Sequence, residues 1–167
     1  AATPVDKNNI TSPWLTAPQK ALVGLQKVIG KSDYKAYAGA CTWLNGIYWI
    51  RILKRLPNGD LLIDNLHDEG KKKVEHVQAT IEPEFVYPLL RGRDVQRWKA
   101  EPSAYIILVQ DPQTRTGIPE AEMKNKYPKT YAYLKRFEMQ LRQRSGYRKY
   151  FKSTDPYWTM YDVGPYT

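Results

Sequence analysis

The chain has 167 residues but only one cysteine, Cys41, and two histidines, His67 and His76. A lone thiol excludes an intrachain disulfide and leaves the redox compartment open. With so few soft ligands, a structural zinc site would lack its usual donors, and no metal site is expected. Cys41 lies in an apolar stretch, where cysteine is more often a small core residue than a nucleophile. No apolar run approaches the ~20 residues that span a bilayer. Nor does the N-terminus carry a charged segment followed by an apolar stretch and a cleavage site. These absences predict a protein without membrane segments, working in the cytoplasm. There is no internal repeat and no low-complexity stretch.

Negative charge is scarce in one place. The net charge is +9, yet residues 1–85 hold 11 Lys/Arg against 9 Asp/Glu, and residues 153–167 hold only two acids. Residues 86–152 hold 15 Lys/Arg against 6 Asp/Glu, so this segment carries the whole excess. A concentrated positive field favours a polyanionic partner, because each neutralised phosphate releases condensed counterions. A soluble protein with a merely basic surface is the competing reading.

Residues 1–13 are polar and contain proline, and read as a linker or tail before a domain at 14–167. Apolar spacing predicts a helix from Pro18 to Ile29, stopped by Gly30. Gly46–Leu56 and Leu61–Leu66 read as paired strands around the turn Pro57-Asn58-Gly59-Asp60, since Asn-Gly between apolar runs is a strong hairpin signal. A weaker third strand is expected over Lys71–Ala79. Pro83 and Pro88 interrupt the chain, and Leu89–Trp98 reads as a helical turn or loop. Ala104–Gln110 predicts a buried strand, Pro119–Lys126 a short helix, Lys129–Arg144 the longest helix and residues 157–163 a last strand. Strands in the middle with helices around them predict an α+β fold with a mostly antiparallel sheet.

The densest chemical signal is Leu90-Arg91-Gly92-Arg93-Asp94-Val95-Gln96-Arg97-Trp98-Lys99. Arginine forks suit phosphate oxygens and the guanine O6/N7 edge. Arg91, Arg93, Arg97 and Lys99 are therefore candidate contacts, unless the segment is a solvated turn in which Asp94 pairs an arginine. Arg115, in the loop after the central strand, is the next candidate. A second basic group, Arg142, Arg144, Arg148 and Lys149 with Lys152, is interleaved with Tyr147, Tyr150 and Phe151. These side chains suit backbone phosphates, or base stacking as in single-strand binders, or simple capping of a helix C-terminus. Lys71-Lys72-Lys73 either touches phosphates or protects a sheet edge.

Two catalytic look-alikes occur. Glu122-Met123-Lys124 with Asp111 has the letters of a metal-dependent nuclease, but in a helical segment rather than on adjacent strands. Asp155-Pro156-Tyr157-Trp158 is similar to the Asp/Asn-Pro-Pro-aromatic motif of amino-methyltransferases, with Tyr157 in place of the second proline. No glycine-rich strand-to-helix loop for S-adenosylmethionine is found in the chain.

Three stretches carry a likeness to a known family. The first is Ala38-Gly39-Ala40-Cys41-Thr42-Trp43-Leu44-Asn45-Gly46-Ile47-Tyr48-Trp49. The others are Val86 to Trp98 with the strand at 104–110, and Tyr127-Pro128-Lys129-Thr130-Tyr131 through Tyr150, ending in Tyr161-Asp162-Val163-Gly164-Pro165-Tyr166. Through them the chain resembles the specificity domain of TaqI-like and type IIG (type ISP-related) adenine-specific DNA methyltransferases. The first stretch is similar to the family's Gly-x-x-Thr-Gly-x-Asn-x-x-Phe, with Gly39, Thr42 and Asn45 in register, while Trp43 replaces a glycine and Tyr48 a phenylalanine.

The resemblance implies a non-catalytic target-recognition domain for double-stranded DNA, covering about residues 14–167. It implies a methyltransferase domain in the same polypeptide, which binds S-adenosylmethionine and flips the adenine. No cofactor is expected in this chain, and its end inside a continuing motif suggests a fragment. The rival readings are a single-strand or RNA-binding module, a nuclease or methyltransferase catalytic fragment, and a domain whose basic face meets an acidic protein.

Overall fold

The computed structural model describes residues 1–30 and 33–167, which form two units, Ala1–Tyr37 and Ala38–Thr167. The two units divide after Tyr37. In the first unit, the expected tail is a hairpin: β1 (Ala2–Pro4) pairs antiparallel with β2 (Trp14–Thr16), Thr3 opposite Leu15. The intervening loop is tied by the Asp6 and Asn9 carboxyl and amide oxygens, which accept from the backbone of Asn8 and Thr11. Helix α1 runs Gln19–Gln26, shorter than expected, with Leu22 its buried residue.

The second unit is built on a five-stranded antiparallel sheet. After a single helical turn, α2 (Asn45–Tyr48), come β3 (Trp49–Arg55), β4 (Leu61–Asn65), β5 (Gln78–Ile81), β6 (Val86–Leu89) and β9 (Ala104–Ile107), in spatial order β5-β4-β3-β9-β6. Alternation places Leu61, Ile63 and Asn65 of β4 inside. The Asn-Gly hairpin forms as its sequence predicts, with Gly59 at φ +92° and Leu56 N–H donating to Asp60 O at 2.8 Å. A bulge between Ile52 and Lys54 leaves Leu53 exposed.

Several expected elements differ. The strand over 46–56 begins only at Trp49, because the Asn45–Tyr48 turn buries Ile47 and Tyr48 first. Lys71–Val77 is not a strand; Asn65 instead ties it down, its amide donating to Glu75 O and its carbonyl accepting Val77 N–H. Pro88 does not interrupt β6, an edge strand, where a missing N–H breaks no ladder. Leu89–Trp98 is a 3-10 turn, Gly92–Asp94, leading into a small hairpin of β7 (Val95–Gln96) and β8 (Lys99–Ala100). A second short hairpin joins β10 (Gln110–Asp111) to β11 (Thr116–Gly117).

Helix α3 (Glu120–Lys126) follows Pro119, as expected. The long helix breaks at fully buried Phe137 into α4 (Pro128–Arg136) and α5 (Glu138–Arg142), and α6 (Ser145–Tyr150) follows. Leu134, Phe137 and Leu141 nevertheless form one buried stripe in the core. Residues 157–163 form no strand beyond a single Cys41–Tyr161 bridge; Tyr157, Trp158 and Met160 are core instead. The architecture is α+β with a mostly antiparallel sheet and flanking helices. No helix among the described residues is long and apolar enough to cross a membrane.

Candidate nucleic-acid interface

Beyond edge strand β6 the chain turns on a braced joint. The Arg91 side chain is 10% exposed. Its Nε donates to Asp94 Oδ2 at 3.3 Å, one terminal nitrogen donates to Glu69 Oε1 at 3.3 Å and the other donates to Ser103 Oγ. Ser103 in turn donates to Asp94 Oδ1, and the Arg91 N–H donates to Asp94 Oδ2 at 2.9 Å. The Ser103 hydroxyl, then the Arg91 amide and guanidinium, hold the Asp94 carboxyl down at about 2 against the opposing effect of burial. Arg93 pairs with the other Glu69 oxygen. Arg91, expected to contact a ligand, serves as a brace in this structure, with three of its five N–H groups held by Asp94, Glu69 and Ser103.

The hairpin beyond the joint is different. Gln96 pairs with Lys99 across β7–β8, and Arg97-Trp98 is the tip. Trp98 is 88% exposed, and the Arg97 guanidinium lies over its ring at 5.4 Å. Arg97 makes no ion pair among the described residues; Lys99 pairs with exposed Glu101 at 2.9 Å. Val95 and Leu90 are exposed below the tip. The joint absorbs Arg91 and leaves Arg93 largely exposed beside Glu69, and the tip presents an indole between two further cations.

The second basic group divides the same way. Arg144 is 2% exposed. Its Nε donates to Leu141 O (2.9 Å), one terminal nitrogen to Thr42 O (3.0 Å), and the other to Tyr157 O (2.5 Å) and Thr159 O (3.0 Å). Its expected phosphate contact is therefore corrected: four of five N–H groups serve buried carbonyls. Arg142 is partly exposed, bonded to Glu138 at 2.8 Å and lying over the Tyr157 ring at 5.0 Å. Arg148 and Lys149 are exposed on α6, with Lys149 5.0 Å from the Tyr150 ring centroid. Arg115 is exposed in the β10–β11 turn, 5.6 Å from the Tyr166 ring centroid.

Sequence reasoning missed an aromatic cluster beside α6. Trp43 lies 6.1 Å from both Tyr150 and Tyr161, and those two rings stack at 4.5 Å. Trp43 has φ +56°, and its ring lies against Gly146 so closely that a Cβ there would overlap it. Gly39 has φ +73°, and Thr42 Oγ1 donates to Asn45 Oδ1 at 2.5 Å. The other non-glycine residues with positive φ among those described, Arg115 (+60°) and Asp162 (+57°), line a depression of about 270 Å3 with Tyr150 and Tyr161. Such backbone strain persists only where surrounding contacts over-determine it. The Lys71–Lys73 run borders a separate cleft of about 300 Å3 with Trp43, Gln140 and Gln143, rather than a sheet edge. Its only sequence signal was the lysine run itself.

The catalytic look-alikes have these positions. Glu122 and Lys124 lie on α3 in pairs with Lys126 and Glu120, both at 2.9 Å, and Met123 is buried. Asp155 accepts the Lys152 N–H at 2.7 Å, and Tyr157 and Trp158 are sealed in the core. Burial first, and the Asp162 charge second, push the Cys41 thiol up, away from the thiolate. No family model, no curated protein and no solved structure matches the chain.

Proposed function

We propose that this chain is a target-recognition module for double-stranded DNA, non-catalytic by itself, belonging to an adenine-specific methyltransferase of a restriction-modification system. The observation that carries the reading is the hairpin over residues 95–100. Its joint consumes Arg91, Asp94 and Glu69 internally, leaving Arg97, Trp98 and Lys99 outward on a rigid base. Cations on a projecting ribbon suit a groove flanked by phosphates, and a two-stranded ribbon is narrow enough to enter one. Arg93, Arg115, Arg142, Arg148 and Lys149 would then contact backbone, positioning the module without reading sequence.

The methyltransferase assignment rests on the resemblance, and the turn at residues 39–45 supports it. Trp43 occupies a glycine position of the family pattern and takes the positive φ that glycine permits. S-adenosylmethionine chemistry would belong to a catalytic domain in the same cytoplasmic polypeptide.

A single-strand reading is favoured by one feature, the half-exposed Tyr150–Tyr161 stack beside Lys149. Fluorescence anisotropy across a salt series separates the two readings. Tighter binding of mixed-sequence duplex than of single strand at matched salt, with a steep negative salt slope, is expected. Equal or tighter single-strand binding would sink the duplex assignment. Methyl transfer or magnesium-dependent cleavage by this chain alone would sink the non-catalytic one.

A further inference from the structure

A tryptophan at a hairpin tip is an unusual place to leave an indole. Trp98 buries almost nothing in this chain, yet the segment below it is fixed by an Arg91–Asp94–Ser103–Glu69 network. The fixation serves position, since the tip itself contributes nothing to the core. Arg97 lies over one region of the ring, a planar cation layered on a planar aromatic, with Lys99 on the other side in sequence.

We propose that Trp98 is a wedge that enters the base stack of duplex DNA, with Arg97 and Lys99 gripping the phosphates on either side. The inference rests on the duplex-binding reading and adds the means by which the hairpin engages. Apolar side chains inserted at a base step unstack it partly and kink the duplex. A rigid support is what that act requires, because a tip on a loose loop would fold away rather than separate two bases. Cations flanking the indole favour a polyanion over an apolar protein groove. A membrane interface is the less suitable partner, because the tip carries one aromatic bracketed by Arg97, Lys99 and Gln96 rather than a continuous apolar face.

The test compares the full chain with Trp98→Ala and Trp98→Phe on a 20-base-pair mixed-sequence duplex carrying a donor and an acceptor dye at its ends. The same-length single strand and phosphatidylserine vesicles are parallel arms. Trp98 has no core contact to lose, so both variants should fold as the parent does. Trp98→Ala is expected to weaken duplex binding about tenfold at matched salt, the ordinary worth of one aromatic–base stack, without changing the salt slope. End-to-end energy transfer should change with the parent and with Trp98→Phe, and stay near the free-duplex value with Trp98→Ala.

Duplex binding that is intact in Trp98→Ala, or that leaves the energy transfer unchanged in the parent, overturns the wedge alone. A Trp98-dependent preference for the single strand overturns it in favour of a base platform. Trp98 emission, read as parent minus Trp98→Phe, that responds to vesicles and not to duplex overturns it in favour of a membrane. Absence of duplex binding by every variant overturns both the wedge and the reading beneath it.

Discussion

The two basic runs, 91–99 and 142–149, look alike in sequence and are built on opposite principles. Each spends one arginine internally, but the partners differ. Arg91 is held by nearby carboxylates and a hydroxyl at the sheet edge, and it fixes the direction of a projecting hairpin. Arg144 is held by four main-chain carbonyls from three segments, and joins α5, the Thr42 turn and the 157–159 segment into one core. The remaining cations follow suit: Arg97 and Lys99 flank an exposed indole, whereas Arg148 and Lys149 lie on a helix beside an aromatic stack. A run of like charges is therefore no single surface feature. The cation with buried acceptors becomes structure, and its neighbours inherit the solvent.

The largest expected effect breaks the comparison at Arg144. Arg144→Ala leaves the buried Thr42, Tyr157 and Thr159 carbonyls without the donors that hold them, and the loss should reach about 3–5 kcal/mol in urea unfolding. A stability near that of the parent would show that the carbonyls find water and that Arg144 is replaceable. Arg91→Ala should cost less, lowering the melting temperature by roughly 3–6 °C, because Glu69 and Ser103 are open to water and the Asp94 carboxylate keeps the Ser103 hydroxyl and the residue-91 N–H as donors.

The same brace has a pH signature. The Asp94 carboxyl sits at about 2 in the folded chain against an ordinary 3.8, so its contribution is complete above the higher value. It is lost as pH falls through the lower one. Hydrogen exchange of the Arg91 amide, which donates to Asp94, should stay protected down to about pH 4 and lose protection toward pH 2. Protection lost already above pH 4 would mean that the brace does not depend on the Asp94 charge.

Local chemistry explains which parts of this were legible in the sequence. The Asn58-Gly59 hairpin, the Pro119-started helix, the buried 104–107 strand and the α+β class follow from turn residues and periodicity over short distances. β6 was obscured because Pro88 is tolerated only at an edge, and edges are a property of the assembled sheet. The 157–163 segment has strand-forming residues, yet Tyr157, Trp158 and Met160 are used as core plugs instead. At the site, the Arg91–Asp94 pairing was readable as an alternative at three-residue spacing. Arg144 was not, since its acceptors Thr42, Tyr157 and Thr159 lie 13 to 102 residues away. Trp98 was visible only as one aromatic among cations; its exposure belongs to the hairpin.

A smaller effect sharpens the turn beside Arg144. Trp43 has φ +56°, where a side chain is strained and glycine is not. Both Trp43→Gly and Trp43→Ala lose the ring contacts with Tyr150, Tyr161 and Gly146. The glycine variant should nevertheless be the more stable of the two by about 1 kcal/mol, reversing the usual order. Alanine equal to or better than glycine in urea unfolding would place that turn at negative φ and remove its support for the family pattern.

The smallest effect on stability is the most discriminating for the comparison. Arg97→Gln, and Arg148→Gln with Lys149→Gln, remove exposed cations that hold no buried acceptor, so stability should stay within about 0.5 kcal/mol of the parent. Their cost should appear in the salt dependence of duplex binding, where each lost phosphate contact lowers the slope by about 0.9. Arg144→Ala, compared at a temperature where it remains folded, should leave that slope unchanged. The two readouts thus cross: stability falls with the consumed arginine, and the slope falls with the exposed cations. If Arg148→Gln with Lys149→Gln leaves the slope intact while Arg97→Gln lowers it, contact is confined to the hairpin and the second run serves only the fold. The reverse outcome would move the interface to α6 and its tyrosine stack.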